Sequence, residues 1–246
     1  MKIIKLLLIL NLFFISSITK AQLAIVYDKD GYVNVREKPG LKSKITGKII
    51  EGQVFCINTF DDERNNPEWL KIWYPINPDS KIKDFTKFRD IKEDGYIHKS
   101  RVFYLENLKE ISFKNESSKK ISVKNDTLQI YIESKPFEKE KHQIIKDNDG
   151  GLIIDKDAFY WGFLGQIPRN ELKAIKVVTN NSSYSFPKEA ISGLYELNLE
   201  FTKLYIGNKN EIYINLSGAD GSDSYEVVWC LKNNKIYSMT IMQIIP

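Results

Sequence analysis

Few residues in this chain are equipped for covalent or acid–base chemistry. There are two cysteines, Cys56 and Cys230, and two histidines, His98 and His142. A cysteine hydrolase needs a thiolate activated by a neighbouring imidazole, commonly at the start of a helix. Cys56 lies in the strand-like run Gln53 to Thr59, and Cys230 follows Trp229 in a second such run. The histidine after residue 105, His142, sits in a charged stretch. Two buried thiols are therefore expected, rather than a nucleophile or a disulfide clamp between distant segments. Two histidines and two cysteines also fall short of a Cys-based structural zinc site or a His-rich one. Neither a Gly-x-Ser-x-Gly elbow nor a His-Glu-x-x-His zinc helix occurs. Carboxylates pair at Asp147 and Asp149, Asp155 and Asp157, and Asp220 and Asp223, all in turn-like sequence. A glycosidase needs two acids at a fixed separation across a cleft, and turn spacing does not supply that. The loop Gly218 to Asp223 also misses the spacing of an EF-hand. The sequence thus assigns no catalytic residue, no metal site and no cofactor. An enzyme with an unrecognised site in the C-terminal half stands as the lesser alternative.

Aromatic residues are more promising. The chain has 13 Tyr, 13 Phe and 4 Trp. Tyr32, Trp69, Trp73, Tyr74 and Tyr96 are candidates for stacking against a ligand, with packing in a core as the competing role for each. Phe159, Tyr160 and Trp161, with Phe163, form the densest aromatic cluster, and Arg169 follows closely. Core packing is the default for that cluster. A partner-binding patch is the alternative, because aromatic residues and Arg dominate interface hot spots. Arg36 reads either as half of a structural ion pair or as a partner for a ligand carboxylate.

These side chains must be held by elements that composition already restricts. The chain has 246 residues, 42% of them hydrophobic, enough for packed cores and long enough for two small domains. Residues 1–21 begin with Lys2 and Lys5, continue through an apolar run from Leu6 to Ile15, and end on Thr19-Lys20-Ala21. That pattern predicts a secretory signal peptide cut after Ala21. An uncleaved anchor is the rival, but the apolar run is shorter than the roughly 20 residues a spanning helix needs. An exported protein, periplasmic or secreted, with no stable membrane insertion after cleavage is expected. Lysines outnumber arginines 31 to five, which points to an AT-rich bacterial genome. The formal net charge of +4 loses Lys2, Lys5 and Lys20 with the leader, leaving 33 basic and 32 acidic residues. That near-neutral balance argues against a nucleic-acid partner.

After the leader, alternating apolar residues and Gly-containing turns predict a mainly β protein. Short strands are expected around 23–27, 32–36, 53–59, 69–74 and 95–102, forming a small barrel over 23–105. The polar run Lys114 to Lys120 predicts a mobile linker over 106–125. Residues 126–246 then predict a second, antiparallel β-rich domain. One short helix is expected within it, after Pro187 and before Gly193.

The run Val33-Asn34-Val35-Arg36, then Pro39-Gly40, Ser43, Ile45, Gly47, Ile49 and Gly52, resembles the opening of bacterial SH3 (SH3b) domains. Trp69, Trp73-Tyr74, Gly95-Tyr96-Ile97-His98 and Ser100-Arg101-Val102 are similar to that family's closing strands. The sequence departs from the family over 75–94, where an insertion replaces a short turn. The C-terminal half resembles only uncharacterised secreted bacterial proteins. The SH3b resemblance implies an SH3-like barrel acting as a non-catalytic binding module for a peptide or peptidoglycan component. An envelope inhibitor or immunity protein, blocking a wall-degrading enzyme or toxin, is the second reading. Its partner would be an envelope protein, met by loops such as the 75–94 insertion.

Overall fold

The computed structural model describes residues 22–58, 67–76, 91–113, 115–125, 127–146, 152–155, 161–162, 166–180 and 182–243. Most of the 75–94 insertion, together with Phe159 and Tyr160, lies outside them. The chain is mainly β, built from antiparallel sheets.

Seven strands make the first sheet: β1 (Gln22–Val26), β2 (Tyr32–Arg36), β3 (Ile45–Ile50), β4 (Phe55–Ile57), β5 (Trp69–Pro75), β6 (Ile91–His98) and β7 (Val102–Tyr104). Their order is β3-β2-β6-β5-β4-β1-β7. The strands match the sequence expectation because each turn carries its own signal. Gly31, at φ 77°, ends the turn in which its amide donates to the Asp28 carbonyl at 3.0 Å. Val35, Ile49, Phe55, Leu70, Ile72, Tyr74 and Ile97 fill one side of the sheet. Gly95 has to be glycine in this packing: a Cβ there would stand 2.4 Å from Val35 Cγ1 and 2.6 Å from the Tyr74 ring.

The expected closed barrel is not found among the described residues. β3 and β7 stay at opposite ends of the sheet. β7 is three residues long, and the chain then leaves through a 3₁₀ turn at Leu105–Asn107 towards a different sheet. The edge that would close onto β3 is never extended.

The remaining strands are β8 (Lys109–Glu110), β9 (Asn115–Ser117), β10 (Lys120–Lys124), β11 (Leu128–Pro136), β12 (Ile144–Lys146), β13 (Leu152–Ile154), β14 (Asn170–Thr179), β15 (Ser182–Ser185), β16 (Leu197–Ile206), β17 (Ile212–Gly218), β18 (Tyr225–Lys232) and β19 (Lys235–Gln243). They form an outer sheet β15-β14-β11-β10-β9, a central sheet β19-β18-β17-β16-β8 and a small hairpin β12-β13. The short helix after Pro187 is a three-residue 3₁₀ turn, Lys188–Ala190.

Residues 106–125, where composition suggests a linker, supply β8, β9 and β10. The polar run that carried that expectation includes the tight turn between β9 and β10, where Ser117 pairs with Lys120. Beyond it, Ile121 and Val123 alternate inwards and are buried. A hairpin turn and a linker share the same composition, which is why the two readings are hard to separate from sequence.

The central sheet is buried on both faces. One face, with Ile214, Leu216, Val227, Trp229, Leu231 and Ile241, packs on the outer sheet. The other, with Tyr205, Tyr213, Val228 and Cys230, packs on Ile25, Val54, Leu105 and Leu108. Polar contacts fix the second junction. Ser238 Oγ donates to the Gly52 carbonyl at 3.0 Å and Thr240 Oγ1 to the Val54 carbonyl at 2.8 Å. Lys232 Nζ donates to the Glu51 carbonyl at 2.8 Å, and Lys209 Nζ pairs with the Glu51 carboxylate at 2.7 Å. Buried carbonyls without such donors would cost about 1–3 kcal/mol each, so the junction is specific as well as apolar.

Candidate functional site

Strand alternation divides the candidate aromatics of the first sheet. Leu70, Ile72 and Tyr74 of β5 point into the core, so Trp69, Lys71 and Trp73 point away from it. In β6, Gly95 and Ile97 point inwards, so Tyr96 and His98 point outwards. In β2, Val33 and Val35 pack inwards and leave Tyr32, Asn34 and Arg36 outside.

Register brings these outward side chains together. Trp69 lies opposite His98, and Lys71 opposite Tyr96, which in turn lies opposite Arg36. The Trp69 and His98 rings meet edge to face, with centroids 5.3 Å apart. Tyr32 is 41% exposed, and Lys48 Nζ sits 5.4 Å from its ring centroid. Trp69, Trp73 and Tyr96 are half-buried. The arrangement is a shallow aromatic platform edged by cations. Such a surface can stack against rings or sugar faces and can meet carboxylates.

Tyr74 does not belong to this platform. It is 1% exposed, packed where Gly47 and Gly95 leave room for its ring, with its hydroxyl 3.5 Å from Thr46 Oγ1. Arg36 Nη1 donates to the Ser43 carbonyl at 2.7 Å and braces the loop before β3. Sequence reasoning missed Lys71 and His98. The signal for them was present, since both are two residues from a candidate aromatic on the same strand.

Trp161 is half-buried against the core between the central and outer sheets, 5.9 Å from the Tyr225 ring. Its amide donates to the Gly193 carbonyl, and its carbonyl accepts from the Tyr195 amide. Those contacts give it a structural role. Arg169 lines a cavity of about 510 Å³ with Lys119, Asn170, Glu196 and Asp220. Its guanidinium pairs with Glu196 at 2.6 Å, and its amide also donates to that carboxylate. The pair satisfies both charges internally.

The thiols are placed as expected for buried cysteines. Both are free and buried. Burial pushes each up to about 12, with the Glu226 carboxylate adding to the effect at Cys56. Such thiols stay protonated at neutral pH, which is the wrong state for a nucleophile. His142 touches two carboxylates, Asp155 and Glu171. No cluster of three or more potential metal ligands occurs among the described residues.

Comparison of the chain with models of protein families, with curated proteins and with solved structures found no match. The site therefore has to be read from its own geometry.

Proposed function

We propose that this chain is an exported, non-enzymatic binding protein whose first module takes a peptide or a cell-wall component on the platform of Trp69, Trp73 and Tyr96. The observation that carries the reading is the placement of three large aromatics, with Lys71 and Arg36, on one face of the first sheet, where the aromatics are half-buried rather than in the core. Aromatic side chains are costly to leave at a surface without use, and they dominate binding energetics where they are used. The signal-peptide pattern of residues 1–21 supports export. Among the described residues no helix is long and apolar enough to cross a membrane.

The test is retention of the mature chain on isolated peptidoglycan sacculi and on immobilised stem peptides. Retention that falls about 30-fold in Trp69→Ala and Trp73→Ala, each with an unchanged circular dichroism spectrum, is the expected result. Retention that is unchanged in both variants moves the site elsewhere. Absence of retention, together with stoichiometric capture of a purified wall hydrolase, replaces this reading with the inhibitor one.

A further inference from the structure

His142 is held between two carboxylates. Its Nδ1 lies 2.7 Å from Asp155 Oδ2, and its Nε2 lies 3.2 Å from Glu171 Oε1. The ring stacks on Phe137, with centroids 4.3 Å apart and planes 17° apart, and Phe137 in turn meets the edge of Tyr195. The side chain is 11% exposed. A neutral imidazole has one N–H and one lone pair, whereas the imidazolium has two N–H donors. Two carboxylate acceptors on opposite sides of one ring therefore match the imidazolium alone.

We propose that His142 is a protonation-dependent latch that ties the β12-β13 hairpin to the end of β14. The latch joins three pieces of chain. Glu171 belongs to β14, Asp155 directly follows β13, and His142 precedes β12. Asp155 also closes the base of the hairpin: its amide donates to the Gln143 carbonyl at 2.8 Å, and its Oδ1 accepts from the Gln143 amide at 2.9 Å. Asp155 holds this position at a φ of 54°, unusual for a residue with a side chain, so its conformation depends on the contacts around it.

The surrounding charges decide which contact yields. From the end of β11, Lys135 Nζ reaches the same Glu171 oxygen at 2.9 Å. From the 3₁₀ turn Lys139–Lys141 and the residue before it, Glu138 pairs with Lys135 and Lys141. From the turn after Pro187, Lys188 acts on Asp155. Glu171 keeps Lys135 as a partner whatever the state of the imidazole. When His142 loses its proton, the shorter Asp155 bond keeps the remaining N–H at Nδ1. Nε2 then turns a lone pair towards Glu171, and that contact opens. At the acid end, burial raises the Asp155 carboxyl, but the bonds from His142 and the Gln143 amide outweigh it and hold the group below its ordinary range. The latch is thus present above that lowered value and opens once the ring carries a single N–H.

Hydrogen exchange of the Gln143, Ile145 and Asp155 amides, corrected for intrinsic rates, tests this on the mature chain at pH 5.5 and pH 8.5. Protection that is at least about tenfold greater at pH 5.5 is expected, given the strength of a charge-assisted hydrogen bond. Glu171→Gln presents an amide donor to neutral Nε2, so its protection is expected to stay high at both pH values. His142→Gln is expected to show low protection at both. Equal protection of the unaltered chain at the two pH values overturns the latch. So does a pH dependence that survives in either variant.

Discussion

One face of the first sheet has two different surroundings along its width. On β1 and β4, Leu23, Ile25 and Cys56 are covered by the central sheet of the second module. On β5, β6 and β2, the same face carries Trp69, Trp73, Tyr96 and Tyr32, which stay partly open. Trp73 stands at the boundary, in register with Cys56. The covered part is aliphatic and supplemented by hydrogen bonds from Ser238 and Thr240. The open part is aromatic and edged by Lys71, Arg36 and Lys48. Aliphatic side chains suit a permanent interface. Aromatic rings with nearby cations suit a contact that forms and dissolves, because they retain favourable contact with water at their edges.

The two parts are expected to respond differently to substitution. The largest effect belongs to Ile25→Ala, which removes a fully buried side chain at the junction. It is expected to cost about 2–5 kcal/mol in urea unfolding and to unfold both modules in one transition. Two separate transitions would mean that the junction does not couple the modules.

The buried thiols give the next effect. Both stay protonated in the folded chain, while the unfolded chain releases their protons above about pH 8.5. The folded state then binds more protons than the unfolded one, so stability falls as pH rises. The slope is about 1.4 kcal/mol per thiol per pH unit between that value and about 12. Chemical denaturation at pH 8 and pH 10 measures this slope, and Cys56→Ala should reduce it. A flat profile would mean that Cys56 and Cys230 are not desolvated by the junction.

On the open part, Trp69→Ala is expected to weaken ligand retention by about 30-fold while costing less stability than Ile25→Ala. A loss of stability equal to that of Ile25→Ala would erase the contrast by making Trp69 a core residue. The smallest effect is expected for Thr240→Val. It keeps the shape but strands the Val54 carbonyl, at a cost of about 1–2 kcal/mol by thermal unfolding, with ligand retention unchanged.

Much of this architecture was legible in the sequence. The strands of both modules follow from period-2 alternation and from turns such as Asp28–Gly31 and Pro39-Gly40. The same alternation, applied residue by residue, separates Trp73 from Tyr74 and brings Lys71 and His98 onto the platform. What alternation does not encode is which faces are covered. β17 reads Ile-Tyr-Ile-Asn-Leu-Ser-Gly, apolar at every second position, and gives little hint that Tyr213 and Asn215 are also buried beneath a second layer. Closure of the first sheet was not legible either, because it depends on where the chain goes after β7. The latch around His142 joins residues 29 positions apart by sequence, so no local pattern announces it.

The position of β1 bears on how the chain reaches this state. It is the first described strand, yet it lies inside its sheet, with Ala24, Ile25 and Val26 fully buried. Its partners come late: Ala24 pairs with Phe55 on one side and with Tyr104 on the other. A chain that emerges N-terminus first would therefore carry β1 unpaired until some thirty more residues had appeared, and with its second edge open until some eighty had. Assembly of the first sheet is dominated by distant pairing, which slows folding and prolongs the exposure of an apolar strand. The last contacts of the second module, made by β18 and β19, then cover Ile25. The earliest strand to appear is among the last to be shielded, and its protection in the meantime falls to whatever accompanies the emerging chain.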